Sequence, residues 1–422
     1  MFKKIISTFA SKFLSGILSL LIVIFAARYL GAEGRGIISL LMLNITIVIM
    51  FNNLAGGGAL IYAVPRENFI QLLLPSYFWA LITSLLTSYT LTVSGLSPPE
   101  YGIHLFLLSF VLALVTVNGN LLLGLERINE HNFSSLFQVL INLIVFYILL
   151  NTPGGKDVQS YIKALYCSFS TGMLLTSVLL FRKIKKLDGR PIASVLKAMF
   201  KNGFFVQIGG IFQLLNYRLS YYLLEVFHST AVLGVYSTAV SLIEALWLIS
   251  KSISMVQYAR ISNSKDLEYS RTLTIKLIKF TFVSTLAILL ILIGIPESAF
   301  LYVLGNQFSG LKEVLLYLSA GIVIFSISGM FSHYLSGTGK FHVNTKASGI
   351  GFIITVIGGF ILIPEYKLMG AGITATLSYT ASTIYQAICF CKITSTKPLD
   401  FVPVRGDFHL ALSEFRSYFS EK

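Results

Sequence analysis

Four polar side chains share one face of a predicted helix in the middle of the chain. Arg218, Tyr221, Tyr222 and Glu225 stand at i, i+3, i+4 and i+7, which places them on one side of an α-helix. Because a charge in hydrocarbon is costly, an arginine within an apolar helix faces a partner or a water-filled cavity. We assign Arg218, Tyr221 and Tyr222 to ligand binding; the alternative is an internal ion pair that fixes packing.

A second polar stripe follows on the next predicted helix. Ser237, Ser241, Glu244 and Lys251 lie along it. At about 1.5 Å per residue the stripe covers about 21 Å, most of the thickness of a bilayer core. We assign Lys251 to the same binding site, again with an internal ion pair as the alternative.

Two polar residues nearer the N-terminus complete the candidate site. Arg28 lies near the outer end of the first apolar block and points either outward or into a cavity. Asn44 lies in the second block, ahead of the triplet Gly56-Gly57-Gly58, which predicts a helix end or a flexible gate. Other neutral polar residues within the blocks are expected to form interhelical hydrogen bonds. They are Asn118, Asn120, Gln138, Asn142, Gln207, Gln213, Asn216 and His333.

The composition shows which elements must position these residues. Of the 422 residues, 55% are hydrophobic and 12% are charged, against about 25% charged in a soluble domain. The apolar residues form blocks of about 20, the length of a spanning helix. The sequence therefore predicts an all-α polytopic membrane protein and excludes a soluble fold.

The apolar blocks predict twelve spans in two groups of six. The predicted spans are 9–30, 37–60, 69–93, 104–125, 133–151, 160–181, 203–225, 231–252, 273–295, 314–335, 345–364 and 369–391. The domain prediction is a lobe over 1–181, a basic cytoplasmic linker over 182–202, a lobe over 203–391 and a cytoplasmic tail over 392–422. In the tail, Phe408, Leu412, Phe415 and Phe419 predict an amphipathic helix.

The net charge of +14 reflects topology rather than nucleic-acid binding. Lys and Arg concentrate in the segments that are cytoplasmic if the N-terminus is inside, as the positive-inside rule requires. We therefore expect both termini in the cytoplasm, and a bacterial inner or plasma membrane as the location.

Sequence patterns for catalysis and for cofactors are missing from the predicted spans. They contain no paired Asp, no His-x-x-x-His pair and no phosphate-binding P-loop, and the glycines of Gly31–Gly36 follow no strand. We assign no catalytic residue, metal or cofactor. The chain is expected not to be an enzyme.

Short repeated motifs indicate an internal duplication. Gly36 to Ser39 after the first span is repeated as Gly234 to Ser237 after the seventh, and Gly124-x-x-Arg127 as Gly337-x-x-Lys340. Duplicated halves are typical of transporters whose site lies at the repeat interface.

Three segments are similar to motifs of one known family. Ala27–Gly36 resembles Ala-Arg-x-Leu-Gly-Pro-Glu-x-x-Gly, and Leu233–Ala239 resembles Val-Gly-x-Tyr-x-x-Ala. Gly339 to Gly372, with Ile-Pro-Glu-Tyr at 363–366, resembles a segment ending in Ile-Pro-x-Tyr-Gly-x-x-Gly. By these motifs the chain resembles the polysaccharide (Wzx-type) flippases of the multidrug, oligosaccharidyl-lipid and polysaccharide (MOP) exporter superfamily.

The resemblance implies two six-helix lobes arranged in a V and a cationic central cavity. It implies a flippase that moves lipid-diphosphate-linked oligosaccharide to the outer leaflet for polysaccharide biosynthesis, such as O-antigen or capsule. Arg28 and Arg218 match arginines of the family, but Ser220 stands where the family commonly has Asp. Glu225 and Glu244 are therefore the candidates for ion coupling.

The implied partners are a polyprenyl-diphosphate-linked oligosaccharide, membrane lipids, and glycosyltransferases or a polymerase of the same pathway. Two other functions stay open. One is a small-molecule cation antiporter of the same superfamily, for which acidic residues are expected in the cavity. The other is a membrane polymerase or ligase of lipid-linked sugars, for which longer outer loops are expected.

Overall fold

Long apolar helices make up most of the chain. The computed structural model describes residues 2–64, 69–181, 192–263 and 266–402. Its helices are α1 (Phe2–Gly56), α2 (Gly58–Ala63), α3 (Phe69–Val93), α4 (Gly102–Gly124), α5 (Ile128–Leu150), α6 (Val158–Phe181), α7 (Ile192–Phe227), α8 (Thr230–Asn263), α9 (Leu267–Gly294), α10 (Glu297–Leu304), α11 (Leu311–Gly337) and α12 (Phe341–Thr394). The described ranges contain no strand, which confirms the all-α prediction.

Nine helical segments within the described ranges are long and apolar enough to cross a membrane. Two of them, α1 and α12, are each interrupted by one non-helical residue, Gly31 and Lys367. Counting these two as pairs, and adding the 36 residues of α7, gives twelve long helices. This number is consistent with the prediction, and the chain is a multi-pass membrane protein.

The break in α1 is sharper than the sequence predicts. Gly31 has φ 72° and ψ −174°, a conformation that glycine adopts without the steric cost of a Cβ atom. Helix resumes directly at Ala32, so residues 32–36, which were predicted to connect two spans, form the first turn of the second half of α1. Arg35 thereby lies on a helix rather than in a loop.

The described residues cluster into two compact units. The first contains the described part of Met1–Ser241 together with Glu297–Leu311, and the second contains Leu242–Pro296 and the described part of Lys312–Lys422. α7 belongs to the first unit because it packs on α1, α2 and α3. Residues 192–202, predicted as part of the linker, are helical and begin α7. The division into six plus six helices stays a prediction, and the predicted tail helix lies outside the described residues.

Apolar side chains from α1, α4, α5 and α6 form a large core of the first unit. Ile45, Leu105, Phe146 and Ile162 are almost completely buried there, and Phe146 meets the Tyr161 ring edge to face at 5.2 Å. Because these helices pack tightly, the polar residues among them have fixed positions.

Candidate functional site

A polar cavity lies within the first unit. Its volume is about 370 Å³, and its lining comes from both halves of α1 and from α5, α6, α7 and α8. Arg35 and Arg218 both line it, and none of the described residues around it is acidic. The cavity is therefore cationic.

Arg35 is held in place by serine hydroxyl groups on two helices. It is 7% exposed; its Nη1 donates to Ser39 Oγ at 2.7 Å and its Nη2 to Ser241 Oγ at 3.1 Å. Ser39 Oγ also lies 2.7 Å from Ser237 Oγ. These hydroxyl groups hold the guanidinium group in one orientation.

The contact between Ser39 and Ser237 joins the two copies of a repeated motif. Gly234, in the second copy, lets the helices meet, because a Cβ atom there would lie 1.8 Å from the carbonyl oxygen of Ala32. The similarity of Gly36–Ser39 to Gly234–Ser237 in sequence thus corresponds to a close packing of α1 on α8 beside the cavity.

Arg218 is positioned by its own helix. Its Nη1 donates to Tyr221 Oη at 2.6 Å, and its guanidinium carbon lies 5.0 Å from the centre of the Tyr221 ring. The Tyr221 ring meets Tyr236 edge to face at 5.9 Å. The arginine and the tyrosine thus form a cation–π contact. Both side chains line the cavity, as their shared helix face predicts.

Neutral amide groups also line the cavity. Gln138 and Asn142, one turn apart on α5, both line it, with Ser168 of α6 beside them. The Ser168 hydroxyl donates to the carbonyl oxygen of Gln138 at 2.7 Å. We call Gln138 and Asn142 the amide pair.

Tyr222 and Asn44, both predicted to bind substrate, contact each other instead of lining the cavity. Tyr222 Oη donates to Asn44 Oδ1, and Asn44 Nδ2 donates to the carbonyl oxygen of Leu96 at 3.0 Å. Asn44 is fully buried. This pair joins α7 to α1 and fixes the helix that carries Arg218.

Four other predicted site residues are not among the residues that line the cavity. Arg28 is exposed. The exposed Lys251 and the half-buried Glu244 lie on the part of α8 that belongs to the second unit. Glu225, at the end of α7, accepts a hydrogen bond from Thr230 Oγ1 at 2.8 Å. Of the predicted residues, the cavity lining therefore contains Arg218 and Tyr221, and Tyr222 and Asn44 form a separate pair.

Arg35 is the functional candidate that the sequence analysis missed. Arg35, Ile38, Ser39, Met42 and Thr46 all line the cavity and stand at i, i+3, i+4, i+7 and i+11, one helical face. This periodicity is visible in the sequence only if the second helix is started at residue 32 rather than 37.

The fold defines a class: a multi-pass α-helical membrane protein with a polar cavity among its helices. Residues 1–265 match the family model described as polysaccharide biosynthesis protein. This range is more than half of the chain and contains every cavity residue, so the chain belongs to that family.

One relative and two solved structures extend the comparison. The chain is 26% identical over 255 residues to the capsular polysaccharide biosynthesis protein CapF of Staphylococcus aureus, covering 58% of this chain and 63% of CapF. It thus spans less than two thirds of that relative's length. An inward-facing MATE family multidrug transporter of the MOP superfamily has a TM-score of 0.74 at 16% identity, covering 90% of this chain and 94% of its own. The lipid II flippase MurJ, inward closed, has a TM-score of 0.69 at 17% identity, covering 94% and 89%. These structures show the fold.

Proposed function

We propose that this chain is a flippase that moves lipid-diphosphate-linked oligosaccharide units from the cytoplasmic to the outer leaflet by alternating access. The observation that carries the proposal is the pair Arg35 and Arg218 on one cavity whose described lining has no carboxylate. Two guanidinium groups in such a place favour an anionic ligand, and guanidinium groups bind phosphate oxygens with paired donors.

The chemistry of the cavity fits the two parts of such a substrate. A diphosphate needs compensating positive charge when it leaves water, which Arg35 and Arg218 supply. Neutral hydroxyl and amide groups on the other helices suit sugar hydroxyl groups. A cation antiporter is disfavoured by the same lining, because its cargo needs negative charge.

The names of the family and of two similar proteins support this proposal. The family is named for polysaccharide biosynthesis, CapF for capsular polysaccharide biosynthesis, and MurJ is titled a lipid II flippase. We further propose a bacterial inner or plasma membrane, cytoplasmic termini, and ion coupling through Glu225 or Glu244. The proposal assigns the chain no chemical step, and it leaves polymer growth to a separate glycosyltransferase or polymerase.

The test is a complementation experiment in cells depleted of this protein. Lipid-linked sugar on the cytoplasmic leaflet is measured with wild type, Arg218→Ala and the matched control Arg28→Ala, which alters an exposed arginine outside the cavity. We expect wild type and Arg28→Ala to clear the accumulated intermediate and Arg218→Ala to clear at least about tenfold less, since a hydrogen bond to a charged group contributes about 1.5–3 kcal/mol. Normal clearance by Arg218→Ala contradicts the proposal. Intermediate that crosses in depleted cells without polymer growth indicates a polymerase instead.

A further inference from the structure

Asn142 combines burial with an unused hydrogen-bond acceptor. It is 9% exposed and lines the cavity. Its side chain interacts with the hydroxyl group of Tyr161, which also lines the cavity, and its Oδ1 atom has no hydrogen-bond partner among the described residues. A buried carbonyl oxygen without a donor costs free energy. Such a group on a cavity is available to accept a donor from water or from a bound ligand.

Gln138, which precedes Asn142 by one turn of α5, packs closely against α6. The side-chain carboxamide of Gln138 lies against Gly172 of α6, where a Cβ atom would be 3.1 Å from Gln138 Oε1. The amide pair is therefore set between α5 and α6, while the two arginines lie on α1 and α7. The cavity thus offers guanidinium groups and neutral amide groups to one ligand.

We propose that the amide pair is the sugar-recognition subsite, in which Asn142 Oδ1 accepts a hydrogen bond from a hydroxyl or acetamido N–H group of the sugar next to the diphosphate. This inference rests on the proposed function and assigns it a specificity-determining residue. An acceptor selects for a sugar that has a donor at this position, and it discriminates against one that lacks it.

The alternative is that Asn142 holds helices together, as polar residues in membrane helices often do. Asn44 is the matched control, because it is also a buried asparagine of the first unit, but both ends of its amide are hydrogen-bonded and it is not part of the cavity lining. Asn142→Leu and Asn44→Leu therefore make the same chemical change in the two situations.

The experiment measures binding of two probes to the purified full chain in detergent. The probes are farnesyl diphosphate and farnesyl diphosphate carrying one N-acetylglucosamine. We expect wild type to bind the sugar probe more tightly, and Asn142→Leu to lose about 2- to 12-fold of that preference, the effect of one neutral hydrogen bond. Its affinity for farnesyl diphosphate is expected to stay unchanged, and Asn142→Gln is expected to recover part of the preference.

Thermal unfolding without probe separates a structural role from recognition. We expect Asn142→Leu to lower the melting temperature less than Asn44→Leu does, because Asn142 loses only its contact with Tyr161 whereas Asn44 loses hydrogen bonds at both ends of its amide. We expect Asn44→Leu to keep its probe preference. The inference is overturned if wild type binds both probes equally, if Asn142→Leu keeps the preference, or if it melts lower and weakens both probes alike. The proposed function fails on a different result, namely that farnesyl diphosphate binds wild type and Arg35→Ala equally or not at all.

Discussion

Each unit contains amide side chains among its helices, but two in the second unit are hydrogen-bonded to other side chains, whereas one in the first unit has an acceptor with no partner among the described residues. In the second unit, Gln386 accepts a hydrogen bond from Ser328 at 2.7 Å and donates to Asn344 Oδ1 at 3.1 Å. Asn344 in turn donates to the carbonyl oxygen of Ser332 at 2.9 Å and to Ser336 Oγ at 3.0 Å. In the first unit, Asn142 lines a cavity with its Oδ1 unsatisfied.

The difference shows how a polar residue in a membrane helix is to be interpreted. We call the hydrogen-bonded side chains of Ser328, Ser336, Asn344 and Gln386 the closed set. They join α11 to α12, and their amide groups already bond to protein atoms rather than to a ligand. An amide oxygen that lacks a donor on a cavity costs stability until water or a ligand supplies one. Residue type alone does not separate the two conditions; the neighbours across the helix interface do.

The largest effect is expected from a substitution that disrupts the packing of α8 on α1 in the first unit. Gly234→Ala places a Cβ atom 1.8 Å from the carbonyl oxygen of Ala32, so α8 must move away from the helix that bears Arg35. We expect the free energy of unfolding to fall by about 3 kcal/mol, the upper range for overpacking, measured by denaturation in detergent. The control is Gly294→Ala, where no atom lies within 4 Å of the new Cβ. Equal stability of the two variants contradicts the described packing.

A smaller loss of stability is expected from a substitution in the closed set of the second unit. Gln386→Leu removes the acceptor of Ser328 and the donor to Asn344. We expect it to lower the free energy of unfolding by about 1–3 kcal/mol, because the buried partners lose their bonds, and to leave farnesyl diphosphate affinity unchanged. Denaturation and probe binding on one preparation check both. Unchanged stability, or a loss of diphosphate affinity, shows that the comparison between the units is wrong.

Most of the fold could be predicted from the sequence, because spanning helices need long apolar blocks that are visible without tertiary information. The spans 69–93 and 160–181 agree with α3 and α6 to within two residues. The start of α7 at Ile192 was missed because basic residues there favour a linker, and the helix after Gly31 was missed because glycines favour a loop.

Only part of the candidate site could be predicted, because spacing along one helix does not show which other helix packs against it. Helical spacing identifies Arg218 and Tyr221 as neighbours, and the structure places both on the cavity. The same spacing also included Tyr222, whose partner Asn44 lies 178 residues away. Such a pairing depends on which helices pack together, and spacing along one helix does not contain that information.

We infer that Arg35 and Arg218, rather than Arg28, hold the diphosphate of the substrate. The most direct test is the affinity of the purified chain for farnesyl diphosphate in wild type, Arg35→Ala and Arg28→Ala. We predict a loss of about 10- to 100-fold for Arg35→Ala, the value of a charged hydrogen bond, and no change for Arg28→Ala. Full affinity in Arg35→Ala together with a loss in Arg28→Ala would contradict the account.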